Sequence, residues 1–456
     1  MKKPNILILT SIFPYLPGEF FFEDEIPYWE STELFDEITI MPWSSEGPSR
    51  RVPDRIKVDA TPPATPSRLV RCLHCAMSVF YPFFYRELLY LVRSRKFTAA
   101  NLRSMVACSG GTILSYRRLK RFMRGKSGYT VYAYWNSVQA YGAALARRSG
   151  LIDALVSRAH RFDVYENRRP DNYMPLKRQF AECFDCILAL SEEGAGYMER
   201  TYGIPRHLLS VSPLGVPLPQ GLSPTGEPGE VNIVSVSFCR PIKRLDKIID
   251  AVALFAGRNP GLRVNWQHIG GGELLEEVKE HARLRLGHLE NVAFSFHGTI
   301  PNSEVKGFYL RNSADIFINA SESEGIPVSI MEAMAAGVPA MAPDVGGTAD
   351  LVSNEHGALM SDDPSVEEIA DVIGELARRA RLPETRKRAR ERVASRFNSA
   401  VNYPEFIERL HALSLESVLG DPPGPTSGRV RGLVEDHSCA HLRSSHRRPK
   451  PVRRYF

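Results

Sequence analysis

No run of about 18 apolar residues occurs anywhere in the 456 residues, so no membrane span is expected. Met1-Lys2-Lys3 has the charge of a secretory leader. However, Pro4 to Thr10 (PNILILT) reads as a short strand, and no A-x-A-like cleavage site follows a segment of the right length. The expected compartment is the cytoplasm. Cysteine is sparse and odd in number, at seven, which argues against a disulfide framework and fits a reducing environment. Two CxxC pairs, Cys72/Cys75 and Cys183/Cys186, could supply four zinc ligands. They lie far apart in apolar stretches, and the favoured reading is small buried hydrophobes. No G-x-G-x-x-G follows the first strand, which disfavours a dinucleotide-dependent dehydrogenase. No Asp-x-Asp stands at a strand end, so no metal requirement is expected, and Asp362-Asp363-Pro364 reads as a turn. Composition excludes a disordered or fibrous chain, with 43% hydrophobic and 24% charged residues.

Acid is the other shortage. From Arg68 to Lys126 there are thirteen Lys or Arg and one acid, Glu87. Aromatic and aliphatic residues are interleaved with that charge. The spacing predicts two or three amphipathic helices with basic faces over 67–126. Such helices can lie on an anionic membrane surface or pack their apolar side on the domain. A nucleic-acid partner is not expected, because no recognition motif accompanies the charge.

Around that insert, short apolar runs alternate with helical spacing. Strands are predicted at Asn5–Thr10, Glu37–Pro42, Tyr129–Ala133, Leu155–Arg158 and Cys186–Ala189. The Pro- and Gly-rich stretch 216–230 is the best linker. A second alternating unit follows, with strands predicted at Val231–Val236, Arg263–Ile269, Val292–His297, Ile316–Asn319 and Pro339–Met341. The expected organisation is α/β. It comprises an N-terminal Rossmann-like domain at 1–215, the linker, a second Rossmann-like domain at 231–395, a helix at 396–418 crossing back, and a disordered basic tail at 419–456. Ligands bind such sheets at the carboxyl ends of the strands, so two facing sheets would share one cleft.

The strongest chemical signal is Ser323 to Gly337 (SEGIPVSIMEAMAAG). Gly325 allows close backbone approach, and Pro327 suits a helix start. The N–H groups from Ile326 through Val328 to Ser329 would make an anion site at the helix N-terminus. Glu324 stands just before that site and Glu332 about 7 Å along the axis beyond it. A nucleotide-sugar has the matching layout of sugar, diphosphate and ribose. A lone early Glu complementing the helix dipole explains one carboxylate, not two. The loop Cys239 to Arg244 (CRPIKR) offers cations, Arg240 and Lys243 among them, for a diphosphate.

This segment resembles the Glu-x7-Glu motif of glycosyltransferase family 4, as do its flanks Phe317 to Ser321 (FINAS) and Pro343 to Thr348 (PDVGGT). The resemblance is strongest over 231–375. It implies the GT-B fold, two Rossmann-like doubly wound domains facing across a cleft. It also implies transfer of a hexose or related sugar with retention, by front-face attack and without a metal. Glu324 would hold donor-sugar hydroxyls and Glu332 the ribose. Gly271 and the Gly346-Gly347 turn would lie near the nucleotide. Lys243 would hold the diphosphate, with Arg240 in place of the family's usual Arg, whose position carries Phe238. His160 would face the donor sugar, with Asp163 orienting the ring or touching the acceptor. Gly18-Glu19 would form a loop touching donor and acceptor. The expected role is bacterial exopolysaccharide, capsule or lipopolysaccharide synthesis on a glycan or lipid-linked acceptor. Two alternatives stand beside it, a nucleotide-sugar epimerase of the same fold and an inactive transferase-like partner subunit.

Overall fold

The computed structural model describes residues 3–16, 18–60, 67–169 and 172–419. The tail expected to be disordered lies, from residue 420 onward, outside the described residues.

The first sheet is parallel and seven-stranded. It contains β1 (Asn5–Thr10), β2 (Ile38–Pro42), β3 (Ile56–Val58), β4 (Tyr129–Ala133), β5 (Ala154–Ala159), β6 (Cys186–Ala189) and β7 (Leu209–Val211), in the order β3-β2-β1-β4-β5-β6-β7. The order reverses between β1 and β4, where a crevice opens beyond the strand ends. Both faces are covered, so the strands read as nearly continuous apolar runs. Ile6, Ile8, Ile40, Tyr132, Tyr134 and Val156 point to one side, Leu7, Leu9, Val131, Ala133 and Leu155 to the other. The edge strands β3 and β7 have three residues each, too short for a periodic signal.

Helices fill both layers of this half. They are α1 (Ile26–Ser31), α2 (Arg68–Ser78), α3 (Pro82–Arg93), α4 (Ala99–Phe122), α5 (Val138–Arg148), α6 (Arg161–Val164) and α7 (Glu192–Tyr202). The basic segment is thus three helices. Ser67 and Thr98 cap α2 and α4, accepting from Val70 N and Asn101 N. Gly110 and Gly111 let α4 lie close to its neighbours. A methyl on Gly110 would come within 2.6 Å of Cys75 Sγ, and one on Gly111 within 2.7 Å of Val138. Cys183 and Cys186 are buried as expected, whereas Cys72 is exposed on α2, contrary to the buried reading. Among the described residues no cluster of His, Cys, Asp or Glu could hold a metal ion.

The second sheet is parallel and six-stranded. Its strands are β8 (Glu230–Val236), β9 (Arg263–Ile269), β10 (Val292–Phe296), β11 (Ile316–Ile318), β12 (Ala340–Pro343) and β13 (Gly357–Met360), in the order β10-β9-β8-β11-β12-β13. Its helices are α8 (Leu245–Arg258), α9 (Leu275–Leu286), α10 (Asn302–Arg311), α11 (Val328–Ala335), α12 (Val366–Arg379) and α13 (Pro383–Arg396). α8, α9 and α12 cover one face, while α10, α11 and α13 cover the other.

α14 (Ser399–Leu419) returns to the first half. Phe406, Ile407 and Leu410 are buried with Trp29, Tyr132 and Val156, and Thr130 Oγ1 donates to Ser414 Oγ at 2.6 Å. Among the described residues no helix is long and apolar enough to cross a membrane.

Candidate active site

The loops at the carboxyl ends of the second sheet are tied to one another by their glycines. Gly270 and Gly272 have φ of 145° and 143°, a region only glycine tolerates. Cys239 N donates to Gly271 O at 2.8 Å, and Gly270 N to Gly298 O at 2.8 Å. A side chain on Gly271 would meet Thr299 Oγ1 at 2.4 Å. Beneath them His268 is buried, between Ser235 Oγ at 2.9 Å and Cys239 Sγ at 3.5 Å. Burial drives its pKa down to about 4, so it is a neutral brace.

This frame brings Lys243 to Glu324, Nζ to Oε1 at 2.6 Å, across 81 residues of sequence. Asn319 Nδ2 donates to the same oxygen at 3.1 Å. Helix α11 begins with Pro327 as its N-cap and has no side-chain cap, so its first N–H groups are open to a ligand. The Gly346-Gly347 turn buttresses that start. Gly347 N donates to Gly325 O at 2.8 Å, and a methyl on Gly346 (φ 58°) would sit 2.0 Å from Glu324 O. Gly325 faces the other half of the molecule, where a methyl would lie 3.2 Å from Arg161 Cβ.

Glu332 lies further into α11, buried, accepting from Asn302 Nδ2 at 2.7 Å. Burial pushes its pKa up to about 7, opposed by the Lys306 charge and helped by Asp24 and Glu23. Lys306 itself pairs with Asp24 from the first half. Asn302, Lys306 and Asp24 were not anticipated. They lie on segments whose sequence carries only ordinary helix spacing.

The three cations of the 239–244 loop have different fates. Lys243 faces Glu324. Arg240 is exposed, with its guanidinium 5.7 Å from the Phe238 ring. Arg244 is taken by Asp363, Nη1 to Oδ1 at 2.9 Å. Asp363 also takes Lys247 at 2.7 Å, which makes the Asp362-Asp363 turn an ion-pair anchor.

In the first half His160 caps the short α6. Its ring is buried against Trp135 at 4.5 Å, Tyr134 at 4.9 Å and Phe21 at 5.4 Å between centroids. Burial, with the Arg158 charge behind it, drives its pKa down to about 3. The imidazole is therefore neutral, and Nε2 has no partner among the described residues. Asp163 does not orient this ring. Its carboxylate accepts the backbone N–H of His160 and of Asn136, both at 2.6 Å. Its pKa is raised by burial and held back by the neighbouring Lys177 ammonium.

Glu19 also departs from expectation. Its carboxylate accepts the backbone N–H groups of Ser11, Ile12 and Phe13 and the Trp135 indole N–H. Gly18 packs so tightly that a methyl would meet Ile12 Cβ at 2.7 Å. The pair fixes the loop after β1, with Glu19 serving as an internal staple.

Residues 224–396, which hold the second sheet, match the family model described as glycosyl transferases group 1. Over that region the chain is similar to the group 1 glycosyl transferases. It is 28% identical over 284 residues to a putative colanic acid biosynthesis glycosyltransferase of Escherichia coli, covering 59% of this chain and 68% of that one. With the amylovoran biosynthesis glycosyltransferase of Erwinia amylovora it shares 27% identity over 191 residues, 40% of this chain and 45% of the relative. The two-domain GT-B fold recurs in solved structures. One is the Anabaena protein HepE in complex with UDP and glucose (TM-score 0.59, 16% identity, 89% of this chain and 99% of that one). Another is an apo lipopolysaccharide outer core galactosyltransferase (TM-score 0.58, 16% identity, 91% and 99%). The Lys243–Glu324 pair and Glu332 all lie within the family-matched part of this chain.

Proposed function

We propose that this glycosyltransferase takes a sugar from a nucleoside diphosphate and passes it, with retention, to a glycan or lipid-linked acceptor in polysaccharide assembly. The meeting of Lys243 with Glu324 beside the uncapped start of α11 carries the proposal. There the diphosphate finds a cation and open N–H groups, the sugar hydroxyls find Glu324, and the ribose finds Glu332. Arg240 stands exposed in the same loop as a second cation. These groups can stabilise the departing diphosphate electrostatically, so the reading includes no metal. His160 supports the sugar end as a neutral imidazole with Nε2 unengaged. The names of the relatives support a polysaccharide role. The intact Lys243–Glu324–Asn319 cluster speaks against an inactive subunit.

The test is thermal stabilisation by UDP, GDP, ADP and dTDP. One of them should stabilise the protein, and Glu332→Ala should abolish the shift. No shift with any would overturn the donor reading. The pH dependence is specific. A carboxylate accepts both ribose hydroxyls only when ionised, and Glu332 ionises near pH 7. Nucleotide affinity should therefore fall by up to about tenfold per unit below that point, and Glu332→Gln should flatten the slope. Without ligand the sign is opposite. The raised pKa contributes stability that is full below the ordinary 4.5 and is lost as pH rises through about 7.

A lipid-linked acceptor places the enzyme at a membrane face, and the supporting surface is α2 and α3. Leu69 and Phe80 are 80% and 83% exposed there, alongside exposed Leu73, Tyr85, Leu89 and Val92. Arg68, Arg71, Arg86 and Arg93 are interleaved, and the only acid, Glu87, is buried against Tyr173 and Gln179. The basic end of α4 is less available. Arg118 is buried, donating to the carbonyls of Trp43 and Pro42 at 3.0 and 2.9 Å. In flotation with vesicles containing phosphatidylglycerol, the double variant Leu69→Asp, Phe80→Asp should lose most bound protein. Arg117→Ala with Lys120→Ala should lose less. Equal loss from both would move the contact to α4.

A further inference from the structure

A nucleoside diphosphate carries more than one negative charge, and the second half has little free positive charge to meet it. Lys243 is already matched by Glu324, Nζ to Oε1 at 2.6 Å. Arg244 and Lys247 are both taken by Asp363. Phe238 brings no charge, and Arg240 is exposed beside its ring. The first half faces the same place with Arg161, the first residue of α6. A methyl on Gly325 would lie 3.2 Å from Arg161 Cβ and 3.8 Å from its Cδ. The arginine side chain therefore runs across the backbone just before the uncapped start of α11. Lys243 and Arg161 thus approach the Glu324-Gly325 step from opposite halves.

Arg161 is also uncommitted. Its Nη2 is buried without a hydrogen-bond partner, and no carboxylate pairs with it, among the described residues. A buried guanidinium N–H without an acceptor costs free energy, and native structures seldom leave one so. The cations around it have their partners. Arg158 is paired with Glu25, and Lys177 donates to Asn136 O and Oδ1 at 2.7 and 2.6 Å. Arg169 lies over the Phe162 ring at 3.7 Å. The backbone from which Arg161 projects is fixed as well, because Asp163 accepts the N–H groups of His160 and Asn136. A planar guanidinium with unused N–H groups matches two phosphate oxygens at once.

We propose that Arg161 is the cation that completes the diphosphate site, reaching across the seam to the β-phosphate while Lys243 holds it from the other half. This rests on the transferase reading above and adds to it a residue from outside the family-matched part. As the bond between sugar and diphosphate breaks, the electron pair stays on the β-phosphate oxygen. A guanidinium fixed beside that oxygen opposes the new charge without reorganising.

The test is calorimetric titration of the full chain with UDP, GDP, ADP and dTDP and with the matching monophosphates. The ratio of monophosphate to diphosphate dissociation constants isolates the β-phosphate. In Arg161→Gln that ratio should fall by about tenfold to 100-fold, the loss expected for one hydrogen bond to a charged group. Monophosphate affinity should stay as in the wild type. Arg161→Lys keeps the charge but not the fork and should recover part of the ratio. Arg161 is only half-buried, so both variants should keep the melting temperature of the free protein. An unchanged ratio in Arg161→Gln would overturn the assignment. So would an equal fall for monophosphate and diphosphate, which would make Arg161 a brace of the seam. UDP-glucuronate and UDP-glucose form the last arm. A wild-type preference for the glucuronate that Arg161→Gln removes, with the ratio intact, would give the guanidinium to a sugar carboxylate and overturn the assignment too. No nucleotide binding by the wild type would strike the donor reading and this assignment together, whereas binding with an unchanged ratio strikes this assignment alone.

Discussion

Glu324→Gln is expected to lower turnover by about 100-fold to 1000-fold while leaving nucleoside diphosphate affinity within a few-fold. The side chain is nearly the same size, so the loop should keep its shape. What changes is charge. Glu324 Oε1 takes both Lys243 Nζ and Asn319 Nδ2, and Oε2 has no hydrogen bond within the described residues. That oxygen is the one free to hold a sugar hydroxyl. Positive charge builds on the sugar as the bond to the diphosphate breaks, and a fixed carboxylate opposes that charge without reorganising. Losing one such preorganised group typically costs about 2.7–4 kcal/mol of transition-state stabilisation. In the proposed reading the nucleotide is held by the α11 N–H groups, Lys243 and Glu332, all of which the substitution leaves in place, so its affinity should survive. Turnover at saturating donor, set beside nucleotide affinity, separates the two. If turnover is unchanged, Glu324 only braces Lys243. If nucleotide affinity falls with turnover, the loop itself has moved.

Glu324, Lys243 and Glu332 stand out in the sequence because their spacing carries a chemical meaning. Two carboxylates around a Gly-Ile-Pro helix start are hard to explain as packing, and a cationic loop after a strand is a local signal. Glu19 was misread for the opposite reason. A carboxylate in a Gly- and Pro-rich loop looks the same in sequence whether it faces a ligand or its own backbone. Only the fold shows that three loop amides and the Trp135 indole converge on it. Asp163 is the same case, an acid beside a histidine in sequence that serves main-chain N–H groups in space. Basic faces were expected throughout 67–126, yet Arg118 turns inward to two carbonyls. The alternation of apolar runs gave the two sheets, because strands buried on both faces must be apolar throughout. The three-residue edge strands were missed. α12 was missed as well, although Ser365 caps it by accepting from Glu368 N.

Arg158→Met is expected to destabilise the first half by about 3–5 kcal/mol, a figure typical of breaking one side of a buried ion pair. Arg158 and Glu25 are both fully buried, with Nη1 and Oε2 3.4 Å apart. The guanidinium also lies 4.4 Å from the Phe406 ring, so it joins β5, the start of α1 and the returning α14. Burial already raises the pKa of Glu25, and the Arg158 charge holds it back. Without that charge the carboxylate is left in an apolar core. The melting temperature should fall on the order of 10 °C for a unit of about 200 residues. A pure packing defect would give the same drop at every pH. An uncompensated carboxylate would not. Its folded pKa would rise further, so the fold would keep its stability at low pH and lose it as pH rises. The deficit of Arg158→Met should thus shrink toward pH 5. Adding Glu25→Gln, which keeps an acceptor for the Trp29 indole now at 2.9 Å, should recover much of the loss at pH 8 and little at pH 5. A deficit independent of pH, or no recovery in the double variant, would mean that Arg158 acts through its stacking on Phe406. His160 lies two residues beyond in sequence, and part of its low pKa comes from the Arg158 charge. The same substitution should therefore raise the His160 pKa from about 3, although burial, the larger cause, remains. The ion pair thus links the stability of the first half to the protonation state of the imidazole beside the proposed donor site.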